Sequence, residues 1–232
     1  MEKQENRRPQ ISVLGDSIST LKGCSEPADA VFYEGMRQYE AEVFVPSDTW
    51  WGQIIDRLGG ELLVNNAISG SMVARHRFCE APTYGCSDER TAALGRDGLS
   101  PDLILIFLGI NDWGYGMPPV PRAQSEAEDP AVFAVAYRLM LEKLRRQYRS
   151  AVLWCFTLPE SRCSAQPAFV FPQSYGGYPI EDYNRVIREM AVAFGCRLTD
   201  WYRSGRPHDT IDGFHPNADG MKTLAETALG LP

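Results

Sequence analysis

Apolar residues in this chain cluster in short unbroken runs, separated by longer segments in which they recur every three or four positions. The runs at residues 11–15, 61–65, 103–108, 151–156 and 196–200 predict strands. They are nearly continuous rather than alternating, as expected of strands covered on both faces. The segments between them predict helices with legible ends. Trp51, Ile54, Ile55 and Leu58 form one stripe, capped by Asp48 and stopped at Gly59. Asp129-Pro130 opens a longer helix with Phe133, Tyr137, Met140, Leu144 and Tyr148 inward; Arg145, Arg146 and Arg149 sit near its negative end. Tyr183, Val186, Ile187, Met190 and Phe194 mark a helix ending at Gly195. Asn217 caps a last helix that turns Met221, Leu224, Ala225 and Leu229 inward. Such alternation predicts an α/β domain over residues 1–232, a parallel sheet with helices on both faces, preceded by a flexible polar stretch at 1–10.

Ligands of such sheets bind at the carboxyl ends of the strands. The polar motifs sit there: Gly15-Asp16-Ser17 after the first strand, residues 65–71 after the second, Gly109-Ile110-Asn111-Asp112 after the third. The long connections 21–47, 72–100, 114–129 and 158–179 are rich in Pro, Gly and aromatic residues, and are expected to wall a cleft. Near the other end stands Asp212-Gly213-Phe214-His215, a carboxylate three residues before an imidazole. Serine, histidine and aspartate are the parts of an activated nucleophile. With three histidines in the chain, His76, His208 and His215, candidates for a general base are few.

Composition narrows the classes. At 232 residues, 44% hydrophobic and 23% charged, the chain has the make-up of one globular domain. Its formal charge of −7, without a basic patch interleaved with aromatics, argues against nucleic acid. No apolar run is long enough to span a membrane, and the polar start lacks a signal-peptide pattern, so a cytoplasmic location is expected. The six cysteines contain no Cys-x-x-Cys pair; Cys155 and Cys196 read as buried thiols. Cys79 and Cys86 flank a loop and could bridge only in an oxidising compartment.

Gly15-Asp16-Ser17, Gly70 within 66–70, Gly109-Ile110-Asn111-Asp112 and Asp212-Gly213-Phe214-His215-Pro216 together resemble, in order and separation, the four blocks of the SGNH (GDSL-type) hydrolases. The resemblance implies a three-layer sandwich with a flavodoxin-like five-stranded parallel sheet. It implies ester hydrolysis without a cofactor, with Ser17 as nucleophile, His215 as base and Asp212 as its orienting acid. The backbone N–H groups of Ser17 and Gly70 and the Asn111 amide would form the oxyanion hole. The strand-end Gly-Asp-Ser-Ile-Ser string differs from the Gly-x-Ser-x-Gly elbow of α/β-hydrolases.

Alternative roles compete at several positions. Asp16 reads as a turn residue and also as a substrate contact, Ser19 as a rival nucleophile, and Asp112 as structural. His208, Asp209, Asp212 and His215 form a rival metal set, although no His-Glu-x-x-His string accompanies them. Trp113 and Tyr115, with Tyr84, Tyr175 and Tyr178, could stack on sugar rings. Arg75, Arg77, Arg122 and Arg162 interrupt any continuous apolar wall, which favours a small-molecule ester with a short acyl group, such as an O-acetylated carbohydrate. A lysophospholipase or thioesterase is the alternative, and a non-catalytic binding module the reading from another class. The metal-free reading predicts that hydrolysis survives EDTA; activity lost to the chelator and restored by a divalent ion would reinstate the metal set.

Overall fold

The computed structural model of the chain describes residues 7–28, 30–76 and 83–231. Five strands, β1 (Gln10–Gly15), β2 (Glu61–Ala67), β3 (Leu103–Phe107), β4 (Val152–Phe156) and β5 (Arg197–Thr199), form one sheet. All pair in parallel, in the order β2-β1-β3-β4-β5. Every residue of β1 is buried, as are the last four of β3 and of β4, which accounts for their unbroken apolar runs. The chain starts at an inner strand, moves to one edge, then returns across β1 to build the other side. That reversal opens a crevice between the carboxyl ends of β1 and β3, where such sheets place their ligands.

The helices are α1 (Met36–Ala41), α2 (Trp50–Arg57), α3 (Asp88–Ala92), α4 (Ile110–Gly114), α5 (Phe133–Gln147), α6 (Ile180–Ala193) and α7 (Ala218–Leu229). Helix α2 packs on α7, and α5 packs on α6 and α3, giving the outer layers of the three-layer sandwich. Trp50 at the start of α2 joins Phe107 of β3, Phe156 of β4 and Trp201 in one aromatic cluster, with centroids 5.0–5.7 Å from its ring. Burying each such side chain contributes about 1.5–3 kcal/mol.

Helix ends depart from expectation by a few residues, for local reasons. Thr49, not Asp48, caps α2, its hydroxyl accepting the Gly52 N–H at 3.0 Å. The Asp48 carboxylate instead accepts the Phe44 and Val45 amides at 2.9 and 3.0 Å. Leu58 lies past the last turn and is exposed, before Gly59 at φ 63°. Helix α5 starts at Phe133 rather than at Asp129-Pro130, because the Pro118 and Pro119 carbonyls take the Phe133 and Ala134 amides. Asn217 caps α7 as expected, through the Gly220 N–H at 2.9 Å. From Arg7 onward the N-terminal stretch is anchored rather than flexible: Arg7 pairs with Asp102 at 2.8 Å and Pro9 accepts the Glu61 amide. Cys155 is buried, Cys196 partly exposed, and Cys86 is a buried free thiol, while Cys79 and Arg77 lie outside the described residues.

One sheet edge is short and the other is partly covered. At β5 the Arg197 guanidinium lies over the Trp154 ring, 3.4 Å from its centroid. At β2, Ser25 bridges Asn65 and the Glu26 N–H donates to the Asn65 carbonyl. Among the described residues no helix is long and apolar enough to cross a membrane.

The start of α2 rests on a close approach. A Cβ on Gly52 would lie 1.8 Å from the Pro46 carbonyl oxygen. Alanine's helix propensity would stabilise by about 1 kcal/mol, but this clash with backbone must dominate. Gly52→Ala is therefore expected to lower unfolding free energy in urea by more than about 2 kcal/mol; a neutral or stabilised variant would disprove the packing.

Candidate active site

Strand β1 ends at Gly15, and the chain turns at once into a single 3-10 turn over Ser17–Ser19. Asp16 caps that turn, its Oδ1 accepting the Ile18 N–H at 3.0 Å. A Cβ on Gly15 would meet the Ser19 hydroxyl at 2.5 Å, so glycine lets the turn fold back on the strand. Ser17 is thereby presented at the carboxyl end of β1.

The second half of the site is a self-contained loop. The Ile211 N–H donates to the His215 carbonyl at 3.0 Å, closing residues 211–215. Inside the loop, Asp212 Oδ1 accepts the backbone N–H groups of Phe214 and His215 at 3.0 and 2.8 Å. Its Oδ2 lies 2.7 Å from His215 Nδ1, and His215 Nε2 lies 2.9 Å from Ser17 Oγ. A carboxylate facing Nδ1 places the ring proton there, leaving Nε2 free to accept from the serine hydroxyl. Burial pushes the Asp212 carboxyl up, but the His215 ring and the two amides outweigh it and hold it at about 2.

The loop after β1 supports this pair. The Phe32 ring stacks on the His215 imidazole with centroids 3.5 Å apart and planes 9° apart. Arg37 lies over Phe32 at 4.4 Å, and its Nη1 is 3.8 Å from Asp212 Oδ2. Tyr33 donates its hydroxyl to the Pro216 carbonyl at 2.8 Å. The sequence placed these residues in a cleft wall without giving them a part. An aromatic pair followed by arginine in a long connection was the signal.

Asn111 follows Gly109, held at φ 131°, and donates its side-chain amide to the Ser71 carbonyl at 2.9 Å. Its second amide hydrogen remains for the cavity it lines. Gly70, at φ 76°, sits on the exposed turn just before Ser71. Asp112 is fully buried, its two oxygens accepting the Val73 and Ala74 amides at 2.8 Å each, a structural brace. The cavity beside Ser17 measures about 190 Å³ and is lined by Ile18, Ile110, Trp113, Tyr175, Phe214 and His215 among others. Trp113 donates its indole N–H to the Tyr178 carbonyl at 3.0 Å, which fixes the ring.

Two residues read as substrate contacts sit elsewhere. Asp16 is wholly buried under the turn it caps, and Tyr115 is exposed against His76, so neither lines this cavity. Ser19 is fully buried beneath the turn. His208 turns Nδ1 to the Glu160 carbonyl at 3.0 Å, and burial holds its ring down at about 4. Asp209 accepts from Ser164 and Asn217, and among the described residues no group of three or more His, Cys, Asp or Glu is placed to hold a metal ion.

The chain belongs to the GDSL-like lipase/acylhydrolase family, whose model matches residues 9–164. That segment carries Ser17, Gly70 and Asn111, while Asp212 and His215 lie beyond it. Similar solved structures include a protein from Bacteroides ovatus assigned as a GDSL-like lipase, at 22% identity and TM-score 0.74, covering 97% of this chain and 98% of that one. Est24, a carbohydrate acetylesterase from Sinorhizobium meliloti, matches at 15% identity and TM-score 0.63 over 96% and 98% of the two chains. An inhibitor-bound aryl esterase from M. smegmatis matches at 18% and 0.61 over 96% and 97%. At such identities these structures share the fold. No curated protein sequence matches the chain.

Asp16 sets a pH dependence of stability. Burial raises its carboxyl to about 7; the Ile18 amide and Arg90 pull it down, and Asp112 pushes it further up. Between about pH 4, the unfolded value, and 7 the folded state keeps a proton the unfolded state has lost, so this group's contribution to stability falls as pH rises. Asp16→Asn is expected to gain unfolding free energy relative to the parent chain between pH 4 and 7 in urea titrations. A difference that moves the other way would contradict the buried, protonated carboxyl.

Proposed function

We propose that this chain is a serine esterase that cleaves a short-acyl carboxylic ester through an acyl-enzyme intermediate. The observation that carries the reading is the unbroken line Ser17 Oγ, His215, Asp212, with contacts of 2.9 and 2.7 Å, opening on an aromatic-lined cavity. Ser17 Oγ attacks the ester carbonyl while His215 Nε2 takes its proton, and Asp212 stabilises the imidazolium. The carbonyl oxygen, now negative, faces the Ser17 and Gly70 N–H groups and the Asn111 amide. Collapse expels the alcohol, which leaves with the proton from His215. Water then attacks the acyl-serine, again activated by His215, and releases the acid. No cofactor enters these steps.

Cavity size supports a short acyl group. At about 190 Å³ it lies below the range of about 300–1,000 Å³ for drug-sized ligands. It is nearer the engineered cavity of about 150 Å³ that takes benzene. Apart from Ser17, Asn111, His215 and the Tyr175 hydroxyl, the walls are largely apolar, which suits the acyl part and leaves a polar alcohol, such as a sugar, on the open side. A lysophospholipase would need a longer apolar channel. Est24 shows that this fold is used on acetylated carbohydrate, which agrees with the choice.

Hydrolysis of p-nitrophenyl esters from acetate to palmitate tests the assignment. Ser17→Ala should lower kcat on acetate at least about 10⁴-fold with an unchanged thermal midpoint; retained activity would remove Ser17 as nucleophile. Tyr175 closes the cavity from a two-residue hairpin and is half-exposed, so it can be truncated without opening the core. Tyr175→Ala should move the preferred ester to longer acyl chains, by up to about fourfold in kcat/KM per added methylene buried. An unchanged length profile would place the acyl group elsewhere.

A further inference from the structure

Arg90 is a buried cation without a carboxylate contact among the described residues. It stands in α3 at 1% exposure, and among the described residues its guanidinium donates to neutral oxygens. Nη2 reaches the Gly15 carbonyl at 3.0 Å and the Asn66 carbonyl at 2.8 Å. Nη1 reaches Ser71 Oγ at 2.7 Å and the Thr83 carbonyl at 3.2 Å, and Nε donates to Asn66 Oδ1. These contacts use the whole donor fork of the side chain. The acid that acts on it is Asp16, which is fully buried, makes no hydrogen bond to the guanidinium and is raised to about 7 by burial.

Taking a guanidinium out of water costs several kcal/mol. Backbone carbonyls can be satisfied by neutral donors at far lower cost, so bracing alone does not call for a charge here. What the contacts connect is more specific. Gly15 stands two residues before Ser17 on the same turn. Ser71 directly follows Gly70, and its carbonyl accepts the Asn111 amide at 2.9 Å. The segments carrying all three oxyanion donors therefore hang from one guanidinium.

We propose that Arg90 is a positioning residue for the oxyanion hole, which it presets through Gly15, Asn66 and Ser71, while its buried positive charge favours the anionic tetrahedral intermediate. The inference rests on the esterase reading above. The field of a fixed buried charge acts most on the species with developed negative charge, so it should appear in turnover and not in ground-state binding. Lysine at this position would keep the charge and lose the fork.

The test compares the parent chain with Arg90→Met, Arg90→Lys and Ser71→Ala on p-nitrophenyl acetate, and measures binding of methylboronic acid. That probe accepts the Ser17 oxygen at boron, the hydroxyl proton passing to His215, and becomes a tetrahedral anion. Arg90→Met should lower kcat about 10²-fold or more, the scale of one lost oxyanion donor, with KM within about threefold by the same argument. Its boronate Kd should rise in proportion to the loss of kcat. Arg90→Lys should fall between Met and the parent, and Ser71→Ala, which removes one acceptor of the fork, should lower kcat by roughly tenfold. If Arg90→Met does not fold, unchanged kcat in both Arg90→Lys and Ser71→Ala overturns the proposal. So does a folded Arg90→Met with parent-like kcat, or one that loses substrate and boronate affinity equally. Absence of Ser17-dependent hydrolysis in the parent chain overturns instead the esterase reading on which the proposal rests.

Discussion

The Asp212 carboxylate organises the site from inside its own turn. One oxygen accepts two successive backbone amides and the other faces the His215 ring, so the loop and the imidazole share one anchor. A spacing of three residues suffices because the carboxylate completes the loop that carries its partner. The turn that carries Ser17 then has only to meet a ring already aimed. Tyr33 clasps the loop through Pro216, and Phe32 lies flat on the ring, so freedom about the ring plane is removed from two directions.

Orientation matters because of what the sheet contributes. Ser17 is delivered by a strand end and His215 by a loop far along the chain, and they meet only because β1 and β3 diverge in connectivity at their carboxyl ends. The strand end is rigid: β1 is buried throughout and is paired on both sides. Positional error is therefore confined to short turns, each closed by its own side chain, Asp16 on one and Asp212 on the other. Such fixed geometry holds donors and acceptors in place without reorganisation.

The strands, the four main helices and the line of Ser17, His215 and Asp212 were legible because local chemistry writes them directly: continuous apolar runs, helical stripes, and a carboxylate spaced to close a turn. The ends of α2 and α5 were less so. Asp48 and Asp129 carry the composition of caps, but local turns take their groups instead: the Asp48 carboxylate accepts the Phe44 and Val45 amides and the Asp129 carboxylate the Ala131 amide. Phe32 and Arg37 were marked only by an aromatic pair and an arginine in a long connection, and Arg90 by nothing, since each acts on residues remote along the chain and none follows a periodic pattern. Tyr115 misled for the same reason: an aromatic side chain near a motif says nothing of the side of the loop it leaves by. Trp113, two residues earlier, is turned inward by its bond to Tyr178.

The two rims of the sheet have a bearing on how the molecule behaves among copies of itself. An open parallel sheet exposes unpaired amides and carbonyls along its outer strands, an invitation to pairing with another chain. Here one outer strand is three residues long and carries Arg197 folded over Trp154, and the other is already engaged by Ser25 and Glu26. A stray extended segment would find little of β5 to register against and would meet Ser25 and Glu26 at Asn65 of β2. The same brevity that makes β5 a weak contributor to the sheet makes it a poor template for aggregation.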